Sequence, residues 1–492
     1  MKKYILSVDQ GTTSTRAILF DHNGRVCSIA QREVECLFPH SGWVEADGLG
    51  IWVSVIDVVN EVLVKENVTM ESVDSIGITN QRETAIVWDK ATGLPVYHAV
   101  IWQSRQSSDI CERLSDKKEF IHKKTGLLIN PYFSASKIRF ILDHIPNGQV
   151  RAEKGELLFG TVDSWIIYKM TKGKIHATDV SNASRTMLFN INTMKWDDEL
   201  LKLFNVPKCM LPKVYPSSYK YGIATFFSKD VPICGVAGDQ QAALFGQTCF
   251  DVGESKNTYG TGCFMLLNVG QKPVFSKNGL LTTIGWQIGD KITYALEGSV
   301  FVGGAVVSWL RDQMRMLHEA GESEDLAKAV PDTKGVYFVP AFVGLGTPYW
   351  DDDARGSVFG LTRGANRNHF VRACLESIAY QCKDVFEVMK KEAHSNLKNL
   401  KVDGGATKNK FLMQFQSDIL NTTIMLPSCL ETTALGGAYL AGLSSGFYKS
   451  IEEIKSIHSY QAIFNPMMSE EEVNDKYSGW LKAVEATRAF KN

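Results

Sequence analysis

"VDQGTTSTRAILFD", residues 8–21, places an acid and a group of hydroxyls in a tight turn between two apolar runs. Ile5, Leu6 and Val8 lead in, and Ala17, Ile18, Leu19 and Phe20 lead out, so the stretch reads as strand, turn, strand. A turn of small residues exposes backbone N–H groups. Thr12, Thr13 and Ser14 add hydroxyl donors, a combination suited to phosphate oxygens. Asp9, fixed at the strand end beside that cradle, is placed to hold a hydrated Mg²⁺. The sequence contains no G-x-x-x-x-G-K-[ST], which excludes a Walker-type site. An acid that simply closes a polar hairpin fits this one stretch equally well.

Two further stretches carry related chemistry. "TYGTGCF" (258–264) is a second turn between apolar flanks, where Gly260, Thr261 and Gly262 let the backbone approach a phosphate and Thr261 donates. "DGGATKNKFLMQFQSDIL" (403–420) turns on Gly404–Gly405 and opens a helix bearing Phe411, Phe415 and Ile419; backbone without side chains there suits a flat ligand. Each stretch alone also reads as an ordinary turn. Together they describe two hairpins facing each other across a cleft, with a nucleotide between them.

The rest of the chain gives this site its setting. With 492 residues the chain is too long for one ordinary domain, and strands alternate with helical segments such as 47–66, where Ile51, Val55, Val58, Val59 and Val62 share a face. The expected fold is α/β, with two similar halves meeting near residue 250: 1–250 carrying the first hairpin and 251–492 carrying the nucleotide-binding stretches. Lys plus Arg (53) balance Asp plus Glu (54), which argues against a nucleic-acid partner. Asp9 interrupts the opening apolar run too early for a signal peptide, and "SVFVGGAVVSWL" (299–310) is too short to span a bilayer, so a cytoplasmic protein is expected. Ten cysteines include no C-x-x-C pair; Cys374 and Cys382 fall on a helical stripe with Phe370, Ile378, Val385 and Met389 and read as core.

Candidate substrate groups lie at Arg82 and Glu83 in "GITNQRET", Trp102 in "IWQSRQ", Tyr132 in "NPYFSASK", and Asp239 and Gln240 in "GVAGDQQAALFGQ". A small polyol needs adjacent donors and acceptors for its hydroxyls and an aromatic wall for its carbon face. Asp239–Gln240 also reads as the N-cap of a helix beginning near Ala242.

The set "VDQGTTSTR", "NTYGTGCF" and "VDGGATKN" resembles the actin-like ATPase and kinase superfamily, and within it the carbohydrate kinases of the FGGY type. "GWVEAD", "TNQRET", "SNASRT", "AGDQQAALFGQ", "PAFVGLGTPYWD", "GSVFGLTRG" and "ETTALGGAYLAGL" extend the likeness over the whole length, to the glycerol kinase branch. The resemblance implies two actin-like (ribonuclease H-like) domains with an interdomain cleft. It also implies ATP-dependent, Mg²⁺-assisted phosphorylation of glycerol to sn-glycerol 3-phosphate. By the same resemblance Arg82, Glu83, Tyr132, Asp239 and Gln240 hold the glycerol hydroxyls, and Trp102 and Phe264 border its carbons. Thr12, Thr13, Ser14, Arg16 and Thr261 bind nucleotide phosphates, and Gly304, Gly405 and Asn409 line the adenosine pocket. Asp239 serves as base, Asp9 and Asp239 hold the metal, Arg16 joins the catalytic set, and a homodimer or homotetramer is implied. Two departures stand out. Ser308 occupies a position where relatives often carry Gln, and the loop 217–232 lacks the histidine that some relatives phosphorylate for control.

Overall fold

The computed structural model describes residues 3–393 and 397–490. Thirteen strands form one continuous mixed sheet. On one side, strand Tyr4–Gln10 pairs antiparallel with Ser14–Phe20, which pairs antiparallel with Val26–Glu33; its other edge runs parallel to Val73–Asn80, followed by Val231–Gly238. On the other side, Ser255–Tyr259 pairs antiparallel with Cys263–Gly270, then Lys291–Val300, and parallel with Leu400–Asp403, followed by Ile424–Pro427. Order and sense are the same in both halves, so the repeat suggested by the two Gly-Thr turns is present in the backbone. The half-sheets meet where Ser218 pairs with Ile288.

Apolar spacing accounts for the layers. Helix Gly48–Glu66 starts on Asp47, whose side chain accepts from the Leu49 N–H, and buries Ile51, Val55, Val58, Val59 and Val62. Helix Arg367–Glu392 begins with an Asn366–His369 capping box and buries Cys374, Ile378, Cys382, Val385 and Met389 in the second core. The thiols are core groups, as their helical stripe indicates.

Helix Thr432–Ser445 arrives late in the chain, yet it lies on the sheet of the first half. Its approach depends on missing side chains: a Cβ on Gly436 would sit 1.8 Å from the Ala242 carbonyl oxygen, and one on Gly246 2.0 Å from that of Thr432. The "LGG" of "ETTALGGAYLAGL" is thus a close crossing over helix Asp239–Gly246. Among the described residues no helix is long and apolar enough to cross a membrane.

Parallel pairing brings the chemistry to one edge. Asp9 is in register with Thr79, and Gly238 with Asn80, so Asp9, the Gln81–Thr84 turn and Asp239 all emerge at the carboxyl ends of adjacent strands. Ligands of open α/β sheets gather at such ends.

Candidate active site

The first hairpin is closed by the Gly11 N–H, which donates to the Ser14 carbonyl at 2.8 Å; Thr12 and Ser14 are partly exposed and Thr13 fully so. Asp9 lies beneath it, only 9% exposed, and makes no hydrogen bond among the described residues. Burial pushes its carboxyl up to about 7, against the pull of Arg16 and with added repulsion from Asp239 and Glu431. Arg16 Nη1 reaches Glu431 Oε2 at 3.1 Å, and its Nε donates to Gln31. An open cavity of about 690 Å³ lies outside Thr13, Ser14 and Arg16, walled by Gln31 and Glu33–Glu35.

Arg82 is the hub of the polyol residues. Its Nε lies 3.2 Å from Asp239 Oδ1 and 3.8 Å from Glu83 Oε1, and its Nη2 donates to the Tyr132 hydroxyl at 3.3 Å. Glu83 has φ +63°, a left-handed conformation that non-glycine residues adopt at a cost of about 1–3 kcal/mol where surrounding contacts enforce it. Helix Asp239–Gly246 starts at Asp239 itself, not near Ala242. Gly238, extended at ψ 149°, is the cap residue, and Asp239 Oδ1 accepts from the Gln240 N–H at 2.8 Å. The second Asp239 oxygen accepts from Gln240 Nε2 at 3.3 Å.

Aromatic groups link this pocket to both hairpins. Trp102 Nε1 donates to Thr12 Oγ1 at 2.8 Å, and its ring meets Tyr132 edge-on at 5.5 Å and Phe264 at 6.4 Å. Phe264 follows the second hairpin, in which the Gly260 N–H donates to the Gly262 carbonyl and the tip, Gly260–Thr261, is exposed. Gly304 N–H donates to the Gly260 carbonyl, and a Cβ there would stand 2.7 Å from that oxygen. Gly405 opens a short 3₁₀ turn and faces open space. Asn409 caps helix Lys410–Leu420, with Oδ1 accepting from the Leu412 N–H at 2.9 Å, while its amide nitrogen donates to the Ser323 hydroxyl at 3.3 Å. Ser308 is exposed on helix Ala305–Asp312.

Four charged residues of the site escape a reading of sequence. Glu297 accepts from both Arg82 and Arg185, and Arg185 Nε donates to Glu83 at 2.6 Å. Burial works to raise the Glu297 pKa, but Arg185 and Arg82 outweigh it and hold it down at about 2. Lys256 donates to Gln240 Oε1 and, at 2.9 Å, to Thr258 Oγ1; burial lowers its pKa to about 8, opposed by Asp403 and Asp239. Glu431 is the fourth. The available signal was a lone acid or lysine inside an apolar strand, as in "YALEGSVF".

Comparison with known proteins identifies the family. Residues 4–246 match the N-terminal domain, and 255–445 the C-terminal domain, of the FGGY family of carbohydrate kinases. A glycerol kinase of Oceanobacillus iheyensis is 58% identical over 495 residues, covering 100% of this chain and 99% of that relative. One of Bacillus subtilis is 56% identical over 496 residues, covering 100% of both. The crystal structure of Plasmodium falciparum glycerol kinase with ADP superposes with a TM-score of 0.92 at 39% identity, over 98% of each chain. Sequence, fold and site geometry thus converge: the chain belongs to the FGGY family of carbohydrate kinases.

Proposed function

We infer that this chain transfers the outermost phosphoryl group of ATP to a terminal hydroxyl of glycerol, giving sn-glycerol 3-phosphate and ADP. The observation that carries the reading is the Arg82–Asp239 contact, Nε to Oδ1 at 3.2 Å, walled by Trp102, Tyr132 and Phe264. It joins a fixed donor, a carboxylate and aromatic rings, the combination a short polyol calls for. A pentulose or gluconate would call for a wider pocket, against which Trp102 and Phe264 argue. The polyol groups argue equally against a member of the superfamily that only binds nucleotide.

Phosphoryl transfer is mostly positioning and charge neutralisation. Arg82, Glu83, Tyr132 and Gln240 hold the polyol hydroxyls, and Asp239 takes the proton of the attacking hydroxyl. Thr12, Thr13 and Ser14 on one hairpin and Thr261 on the other present donors to the phosphates, and Arg16 neutralises charge on the transferring group. Gly304, Gly405 and Asn409 border the adenosine.

The donor set suits a hard cation. Asp9 is a buried carboxylate with no hydrogen-bond partner among the described residues, and such a group favours a divalent ion held through water. Asp9 and Asp239 would hold Mg²⁺, which when bound neutralises phosphate charge. We assign 1–250 and 251–492 to two closing domains, place the enzyme in the cytoplasm, and expect a homodimer or homotetramer.

The test is a coupled ADP-release assay with MgATP across glycerol, dihydroxyacetone, xylulose and gluconate, with a control lacking acceptor. The reading expects glycerol to give the highest kcat/KM and the control to stay near background. ADP release independent of glycerol, or preference for a pentulose, contradicts it.

A further inference from the structure

Two charged residues behind the polyol pocket have no part in the chemistry above: Arg185 and Glu297. Their side chains are fully enclosed. Glu297 takes Arg82 through both carboxylate oxygens, and its Oε1 also accepts from Arg185 Nη2 at 3.0 Å. Arg185 Nε passes the chain on to Glu83 Oε1. The result is an alternating run of buried charges, Glu83–Arg185–Glu297–Arg82, ending at Asp239. Arg82 Nε and Arg185 Nη1 are buried and make no hydrogen bond among the described residues; Arg82 Nε faces Asp239 Oδ1 as an ion pair at 3.2 Å.

The two new members come from opposite halves. Arg185 follows the short helix Val180–Ala183, which Asp179 caps and whose Ser181 hydroxyl accepts from the Gly238 N–H, immediately before Asp239. Glu297 lies on strand Lys291–Val300 and is in register with Leu266, while Val300 opposes Cys263. That neighbouring strand begins at the Thr261 hairpin and carries Phe264. The carboxylate that orients Arg82 is therefore rigidly connected to the proposed phosphate-binding turn of the second half.

We propose that Glu297 and Arg185 are positioning residues for the polyol, a role that rests on the kinase reading above. Glu297 fixes the Arg82 guanidinium so that its Nε edge, which faces Asp239, is aligned for a substrate hydroxyl beside that carboxylate, and Arg185 fixes the Glu83 carboxylate in the same way. Neither touches the reacting atoms. Removing the negative charge at 297 leaves two enclosed guanidiniums without their shared counter-ion, so Arg82 loses the anchor on its Nη1 and Nη2 atoms and the polyol loses its aligned donor.

The experiment uses the full-length wild-type chain, Glu297→Gln and Arg185→Lys, with initial rates measured while glycerol and ATP are varied separately. Glu297→Gln is expected to raise KM for glycerol by about 30-fold or more, the scale of unpairing a buried charge. Arg185→Lys, which keeps the charge but cannot reach both Glu83 and Glu297, is expected to raise it by about 10-fold, the scale of one hydrogen bond to a charged group. KM for ATP should stay within about threefold of wild type. An unchanged KM for glycerol overturns the proposal. So does a parallel rise in both KM values, which marks general loss of structure, or a fall in kcat alone. Should Glu297→Gln fail to fold, Glu297→Asp takes its place: the charge is kept one methylene short, and the expected result is a rise in KM for glycerol smaller than that of Arg185→Lys. A wild type without glycerol-dependent turnover defeats the kinase reading itself; normal variants beside an active wild type defeat only the positioning role.

Discussion

Arg16 Nη1 lies 3.1 Å from Glu431 Oε2, tying the first phosphate hairpin to the residue that precedes helix Thr432–Ser445, 415 positions away in the chain. Both side chains are about one-third exposed, so the pair is a modest, salt-screened interaction rather than a structural anchor. A carboxylate in that position competes with a phosphate for the same guanidinium. Glu431→Gln is expected to lower KM for ATP by about 1.4- to 5-fold, the equivalent of an exposed ion pair, and to leave KM for glycerol unchanged. Initial rates over a range of salt check it, since the advantage should shrink as salt rises.

Trp102 touches both the first hairpin and the proposed polyol pocket through different parts of its ring system. Its indole N–H donates to Thr12 on the phosphate hairpin, whereas its face closes the pocket beside Tyr132 and Phe264. Trp102→Phe removes the first and keeps much of the second. KM for ATP should rise by about 2- to 10-fold, the worth of one hydrogen bond, and KM for glycerol should move less. Trp102→Ala should raise both.

Gly436 sets the distance between helix Thr432–Ser445 and the helix headed by Asp239. With a Cβ 1.8 Å from the Ala242 carbonyl oxygen, Gly436→Ala requires the helices to part. Denaturant unfolding should show a loss of about 1–3 kcal/mol. Because the displaced helix begins at Asp239, kcat should fall by a larger factor than KM for glycerol rises.

The elements were legible wherever one residue's periodicity sufficed. Ile5, Leu6 and Val8 gave the first strand, and Ile51 through Val62 gave the helix at 47–66, which the structure places at Gly48–Glu66. The turns at Thr12–Ser14 and Gly260–Gly262 were marked by composition. Long-range pairing was not legible in this way. Glu297 and Arg185 are 112 residues apart, and nothing local in either stretch says that one balances the other. Likewise Asn409, a nucleotide contact by resemblance alone, also caps the helix Lys410–Leu420 with its side-chain oxygen, a role its neighbours in sequence do not announce. The start of helix Asp239–Gly246 was displaced because Gly238, an unremarkable residue in sequence, takes the extended conformation that a cap needs.

Asp163 gives the fold a pH signature away from the cleft. Its carboxylate is enclosed and accepts from the Thr161 and Thr178 hydroxyls; burial, then the neighbouring Asp179, pushes its pKa up to about 7. The folded value lies above the ordinary 3.8, so the folded chain binds this proton more tightly than the unfolded chain does. Stability from this group is therefore full below about pH 4 and declines as pH rises through about 7. Asp163→Asn removes the dependence. Its Tm relative to wild type should improve between pH 5 and pH 8, and a difference that stays flat across that range contradicts the assignment.

The central claim is that Asp239 stands beside the polyol hydroxyl that faces the outermost phosphate. A crystal structure of the chain with glycerol and a non-hydrolysable ATP analogue measures this directly. The account predicts an Asp239 carboxylate oxygen about 2.6–3.2 Å from a terminal glycerol hydroxyl, with that hydroxyl directed at the outermost phosphorus between the Thr12–Ser14 and Thr261 turns. Glycerol bound away from Asp239, or phosphates held outside both turns, would contradict it.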